Sequence, residues 1–150
     1  MTPLLDVIDL SKAQALEEVS FTVERGEVVC VVGPPGSGKT TLIECLAGAA
    51  EPDAGSIEIL GHTVGPGDRR PAGLAVSLRD ERLPARMKIA EGLSLLSRMY
   101  GTRGLPPRLV ELLDLEPLLP RRFKALTEGQ RRRAMIALAL VGNPELVLLD

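Results

Sequence analysis

Apolar residues along this chain come first in short runs and only later at helical spacing. Residues 4–10 and 19–23 are apolar segments too short for a helix, and their β-branched side chains predict strands. Arg25-Gly26-Glu27 reads as a turn, followed by the unbroken apolar run Val28-Val29-Cys30-Val31-Val32. A run without polar alternation is expected to be covered on both faces, as a central parallel strand is. Residues 33–38 form a glycine-rich loop, and residues 40–50 take up helical spacing. Residues 57–60 and 74–78 are predicted strands, joined by a Gly/Pro-rich connection at 61–73.

The pattern then changes. Ile89, Leu93, Leu96 and Tyr100 share one face of a predicted amphipathic helix over 89–100. Pro106-Pro107 opens a second helix to about Leu113, with proline in the first turn where its missing N–H costs little. A third helix is predicted over 127–140, and Leu146-Val147-Leu148-Leu149 is a further buried strand ending at Asp150. Strands, a loop–helix unit, a helical block and a strand make an α/β chain with a helical insertion between sheet strands.

Composition narrows the classes. At 150 residues the chain has the length of one ordinary domain, and 45% hydrophobic against 25% charged residues is a globular balance. Phe21, Tyr100 and Phe123 are its only aromatics, so the core must come from Leu, Val, Ile and Ala. A net charge of −2 argues against a partner held by bulk positive charge, and no nucleic-acid role is expected. No apolar run approaches the ~18–20 residues of a membrane span, and the N-terminus lacks signal-peptide character. Cys30 and Cys45 have no ligand spacing around them, which excludes a disulfide scaffold and disfavours zinc. The chain reads as cytosolic.

Gly33-Pro34-Pro35-Gly36-Ser37-Gly38-Lys39-Thr40, continued by Thr41, fits the phosphate-binding pattern G-x-x-x-x-G-K-[ST]. Glycines allow positive φ, so successive amides can turn inward as an anion nest. The following helix directs its free N–H groups at the same anion. Lys39 supplies a mobile positive charge, and the Thr40 hydroxyl can ligate Mg²⁺. Pro34 and Pro35 have no N–H, so the donors come from Gly36 onward. The second half of such a site is a carboxylate at the end of a neighbouring buried strand, and Leu146-Val147-Leu148-Leu149-Asp150 has that form. Together these point to a nucleoside triphosphate and magnesium.

The stretch between them narrows the reading. Leu126-Thr127-Glu128-Gly129-Gln130, just before the Walker B strand, resembles the signature motif of ATP-binding-cassette (ABC) proteins. Leu16-Glu17-Glu18-Val19-Ser20-Phe21-Thr22-Val23 before Arg25-Gly26-Glu27, Met87-Lys88-Ile89-Ala90-Glu91-Gly92-Leu93 and Gly142-Asn143-Pro144-Glu145 are similar to the family's flanking segments. Tyr100-Gly101 is most similar to ATPase subunits of bacterial ABC-2-type exporters. The resemblance implies a P-loop core with an N-terminal antiparallel β part over 1–78, an inserted helical subdomain over 79–126, and a signature helix with Walker B strand over 127–150. It further implies ATP and Mg²⁺ as ligands, a head-to-tail pair with a second nucleotide-binding domain, and transmembrane permease subunits as partners on the cytoplasmic face of the membrane. Thr127 and Gly129 would meet the partner's nucleotide. Thr127-x-x-Gln130 is also a capping box, with Leu126 as its staple residue.

The chain departs from the family at four places. Lys12-Ala13-Gln14-Ala15 lacks the aromatic that stacks on adenine. Arg79 stands where the family has glutamine, and an arginine accepts no hydrogen bond. Glu128 replaces a signature glycine, setting a carboxylate towards a triphosphate. The catalytic glutamate and switch histidine would follow Asp150, along with strands that complete the sheet, so no catalytic residue is assigned within these 150 residues and an apolar edge is expected where those strands would pair. Asp80 and Glu81 read as a solvated turn, Arg131-Arg132-Arg133 as surface charge, and His62 as an exposed loop residue. A non-hydrolysing nucleotide-binding or regulatory module and a small P-loop kinase are the competing readings; the signature-like segment speaks against the kinase.

Overall fold

The computed structural model describes residues 2–65, 67, 68, 70–79 and 82–150. Strand β1 (Leu5–Lys12) pairs antiparallel with β2 (Leu16–Val23). Its other edge pairs antiparallel with β3 (Ala54–Ile59), which carries the two-residue β4 (His62–Thr63). The resulting sheet has the order β2-β1-β3-β4. His62 is thus exposed but within a strand. Along β1 the buried residues are Leu5, Val7 and Leu10, not Leu5, Val7 and Asp9. A bulge between Val7 and Leu10, where Asp9 takes φ +48°, shifts the alternation by one residue. Ser20 anchors it, donating from Oγ to Asp9 Oδ1 and accepting from the Asp9 amide at 2.8 Å.

Helix α1 (Lys39–Leu46) packs Leu42, Cys45 and Leu46 against the inward face of β1 and β3. It stops short of the residue 50 expected from spacing, because Gly48 at φ +69° turns the chain out of the helix. On the same core sits a second, parallel sheet of β5 (Leu74–Ser77) and β6 (Leu146–Leu149), in the register Leu74–Leu146 to Ser77–Leu149. Leu146 and Leu148 are buried while Leu149 is exposed, so β6 alternates where burial on both faces was expected.

The run at 28–32 overturns the strongest strand expectation. It enters no ladder among the described residues, and Val28 and Val32 are 93% and 86% exposed. A strand needs a neighbour to take its amides and carbonyls. The residues flanking it are tied to the two ends of β6, by an Arg25–Glu145 ion pair before the run and a Thr40–Asp150 hydrogen bond after it.

A second core gathers the helical insertion. Helix α2 (Ile89–Tyr100), helix α3 (Pro107–Leu112) and helix α4 (Glu128–Leu140) surround Ile89, Leu115, Leu118, Phe123, Leu126 and Ala134. Tyr100 closes the predicted apolar face but is 61% exposed; its ring leans on Gly142, where a Cβ would meet it at 3.4 Å. Helix α4 also packs on β5 and β6, which sets its N-terminal turn beside the strand ends. No helix among the described residues is long and apolar enough to cross a membrane.

Candidate functional site

The glycine-rich loop at 33–38 takes the backbone that its glycines allow. Gly36 and Gly38 adopt φ +81° and +85°, and Gly38 is the residue that caps α1. Gly33 lies close under Ser37: a Cβ there would stand 2.6 Å from Ser37 Oγ, so the serine side chain would have to turn aside. Pro34 and Pro35 shape the bend, with the Ser37 amide donating to the Pro34 carbonyl at 3.2 Å. Among the described residues, the amides of Gly36, Gly38, Lys39, Thr40 and Thr41 enter no backbone hydrogen bond. Five unspent donors at a helix start make a cradle for an anion. Lys39 folds over the loop and donates from Nζ to the carbonyls of Gly33 at 2.9 Å and Pro34 at 2.7 Å, and to Ser37 Oγ at 3.3 Å. An incoming anion can take that ammonium.

Asp150 joins this loop from across the chain. The Thr40 hydroxyl donates to Asp150 Oδ1 at 3.2 Å, while Asp150 Oδ2 is buried without a partner. The Asp150 amide donates to the Ser77 carbonyl at 3.0 Å, so both strands of the parallel sheet present their C-terminal ends to the loop. A hydroxyl beside a carboxylate with one orphaned oxygen is a donor set suited to a hard divalent cation.

The β1–β2 turn closes the other end. A Cβ on Gly38 would stand 2.2 Å from the Ala15 carbonyl, so this turn lies directly against the loop. A cavity of about 420 Å³ opens around residues 11–17, with no aromatic ring in its wall. Asp53 fixes the turn, accepting from the Ala13 amide at 2.6 Å and from Lys12 Nζ at 3.1 Å. Those two bonds, the backbone one foremost, hold its carboxyl below the usual aspartate value.

The signature-like segment opens α4. Thr127 caps the helix: its Oγ1 accepts from the Gln130 amide at 3.4 Å, and Gln130 Oε1 accepts from the Thr127 amide at 3.0 Å. The capping box is therefore present. The staple is not, because its far position is the charged Arg131; Leu126 is buried in the second core instead. Gly129 is exposed, with no atom within 4 Å of where a Cβ would be. Glu128 and Gly129 share one cavity wall with Asp150, whereas Thr127 does not reach it.

Arg79 lines that same cavity. The three consecutive arginines depart from the surface-charge expectation: all are half-buried, Arg131 lies over the Phe123 ring at 5.6 Å, and Arg133 pairs with Asp114 at 2.7 Å. Asp80 and Glu81 lie outside the described residues. Sequence reasoning missed the joining of Arg79 and Arg82 to the start of α4, since no single motif spans the two segments.

Comparison with known proteins bears on the family and the fold. The ABC transporter family profile matches residues 16–150. The Nod factor export ATP-binding protein I of Ralstonia nicotianae is 32% identical over 160 residues, covering 99% of this chain and 50% of that protein. The Fe(3+) ions import ATP-binding protein FbpC 1 of Rhodococcus jostii is 37% identical over 162 residues, covering 100% and 46%. The chain thus spans about half the length of the curated relatives it matches. A solved ATP-binding subunit of an ABC transporter superposes with a TM-score of 0.80 at 31% identity, over 98% of this chain and 65% of that one. A nucleotide-free ATP-binding cassette at 24% identity and TM-score 0.76 shares the fold. With the loop, the carboxylate strand and the capped signature helix in this order, the chain belongs to the ABC transporter family and carries its ATP-binding cassette fold.

Proposed function

We propose that this chain binds MgATP as the nucleotide-binding part of an ABC transporter, with hydrolysis belonging to the complete domain. The observation that carries the reading is the set of five unspent amides from Gly36 to Thr41, roofed by Lys39. In it, Gly33, Pro34, Pro35, Gly36, Ser37 and Gly38 shape the cradle, and Lys39, Thr40 and Thr41 hold phosphate. Thr40 and Asp150 hold Mg²⁺, which would neutralise phosphate charge there. The division is into 1–78, 79–126 and 127–150; the first two segments each centre on a hydrophobic core of their own, and the third contributes α4 to one core and β6 to the other.

A second nucleotide-binding domain, paired head to tail, meets the segment Leu126–Gln130 through Thr127, Glu128, Gly129 and Gln130, with Leu126 buried behind them, and permease subunits hold the pair at the cytoplasmic face of a membrane. Support for this is the capped, exposed start of α4 and the membership of the family. Within it, the exporter subtype rests on Tyr100-Gly101 and on an export protein among the relatives, which also include importers. The test is MgATP binding by this chain and by Lys39→Ala. We expect binding that weakens at least about tenfold in the variant. No binding by the parent chain, or equal affinity in both, defeats the reading.

A further inference from the structure

Arg121 grips the signature-like segment from outside. Its guanidinium donates from Nη2 to the Ala125 carbonyl at 2.7 Å and from Nη1 to Gln130 Oε1 at 3.2 Å. One bond falls on the residue before Leu126 and the other on the last residue of the segment, so the two hold it by its ends. Gln130 Oε1 also accepts from the Thr127 amide at 3.0 Å, which makes it an acceptor shared by Arg121 and the helix cap. The backbone of Arg121 is fixed in turn. Its amide donates to the Leu118 carbonyl at 2.9 Å, and its carbonyl accepts from the Ile89 amide at 3.1 Å, at the start of α2. Between the two grips, Thr127, Glu128 and Gly129 stay exposed.

The cap by itself holds this turn loosely. Thr127 Oγ1 accepts from the Gln130 amide at 3.4 Å, beyond the usual range, and the apolar staple is missing. A charged donor makes a hydrogen bond roughly twice as strong as a neutral one, and the planar guanidinium meets two acceptors at once. A lysine ammonium has the charge without the fork. A turn fixed before its partner arrives loses less conformational freedom on contact and so binds more tightly. We propose that Arg121 is a positioning residue for the signature-like segment, pre-setting Thr127, Glu128 and Gly129 for the second nucleotide-binding domain. The identity of that partner rests on the head-to-tail reading above; the grip on the turn does not.

The experiment compares the parent with Arg121→Lys, with Gln130→Met and with the two combined. Arg122→Lys is the control, because Arg122 is exposed and has no ion pair among the described residues. Amide hydrogen exchange by NMR follows the Thr127 amide, sedimentation velocity follows MgATP-dependent association, and MgATP affinity and the urea midpoint are measured on the dilute chain. Arg121→Lys should speed exchange at Thr127 about tenfold and weaken association about tenfold, with the urea midpoint and MgATP affinity of the parent. The losses from Arg121→Lys and Gln130→Met should not multiply in the combined variant, since both break the same bond. Arg122→Lys should match the parent throughout. A parent that binds MgATP without associating sinks the head-to-tail reading, and exchange at Thr127 then decides the role of Arg121. The proposal is overturned if that exchange stays within twofold of the parent in Arg121→Lys, if the two losses multiply, or if faster exchange leaves association unchanged. A fall in the urea midpoint that accounts for all of the lost association makes the role merely structural and overturns it as well.

Discussion

Thr40 and Asp150 stand 110 positions apart in sequence, yet the hydroxyl of one donates to the carboxylate of the other at 3.2 Å. That bond sets the end of β6 against the start of α1. The second carboxylate oxygen remains buried and unpartnered.

A carboxylate so placed should matter for magnesium more than for nucleotide. Asp150→Asn keeps the shape and an acceptor but removes the charge. Magnesium-stimulated ATP affinity should fall about tenfold, with affinity in EDTA unchanged. Titration with a fluorescent ATP analogue under both conditions measures it; equal losses with and without magnesium would contradict a metal role.

Gly38 answers to two constraints at once, a φ of +85° and the Ala15 carbonyl 2.2 Å from where a Cβ would sit. Gly38→Ala should destabilise the chain by at least about 2 kcal/mol, read as the urea midpoint. Gly36 has the same sign of φ but nothing within 4 Å. Gly36→Ala should therefore cost less.

The turn against Gly38 carries no ring, and base stacking on an aromatic is worth about 1–3 kcal/mol. MgATP and MgGTP should accordingly bind with dissociation constants within about fivefold of each other. Ala13 is exposed and donates its amide to Asp53, a bond that a tyrosine backbone keeps. Ala13→Tyr should raise ATP affinity about tenfold. A strong ATP preference in the parent chain would show that other groups read the base.

Asp53 makes the turn's anchorage pH-dependent. Its folded-state carboxyl titrates below the usual aspartate value, so its contribution is complete above the unfolded value of about 3.9 and disappears as pH falls through the lower folded one. The urea midpoint of the parent should exceed that of Asp53→Asn at neutral pH. The gap should close as the solution is taken below about pH 4. A gap that persists in strong acid would mean the substitution acts through packing.

Local features were legible in the residues alone. The phosphate loop, the capping box of Thr127 and Gln130 and helix α2 each depend on neighbours a few positions away: glycine φ, a reciprocal pair of hydrogen bonds, a repeat of apolar side chains. β1 was foreseeable as a strand, but the bulge at Asp9 depends on Ser20 of the neighbouring strand.

The run at 28–32 marks the boundary. Five apolar residues state what the segment tolerates, and burial was the natural expectation; whether they become a strand is settled by which donors and acceptors lie alongside. Likewise, no motif joins Arg79 and Arg82 to Arg131 and Arg132, and the packing of α4 on β5 and β6 is what brings them around one cavity. Contiguous residues determined most of the elements and the glycine-rich loop, and their motifs carried the resemblance to the family, because each of these is written locally. Which strands pair, which charges share a cavity and which carboxylate oxygen stays unspent were determined by folding, because each depends on groups brought together from distant parts of the chain.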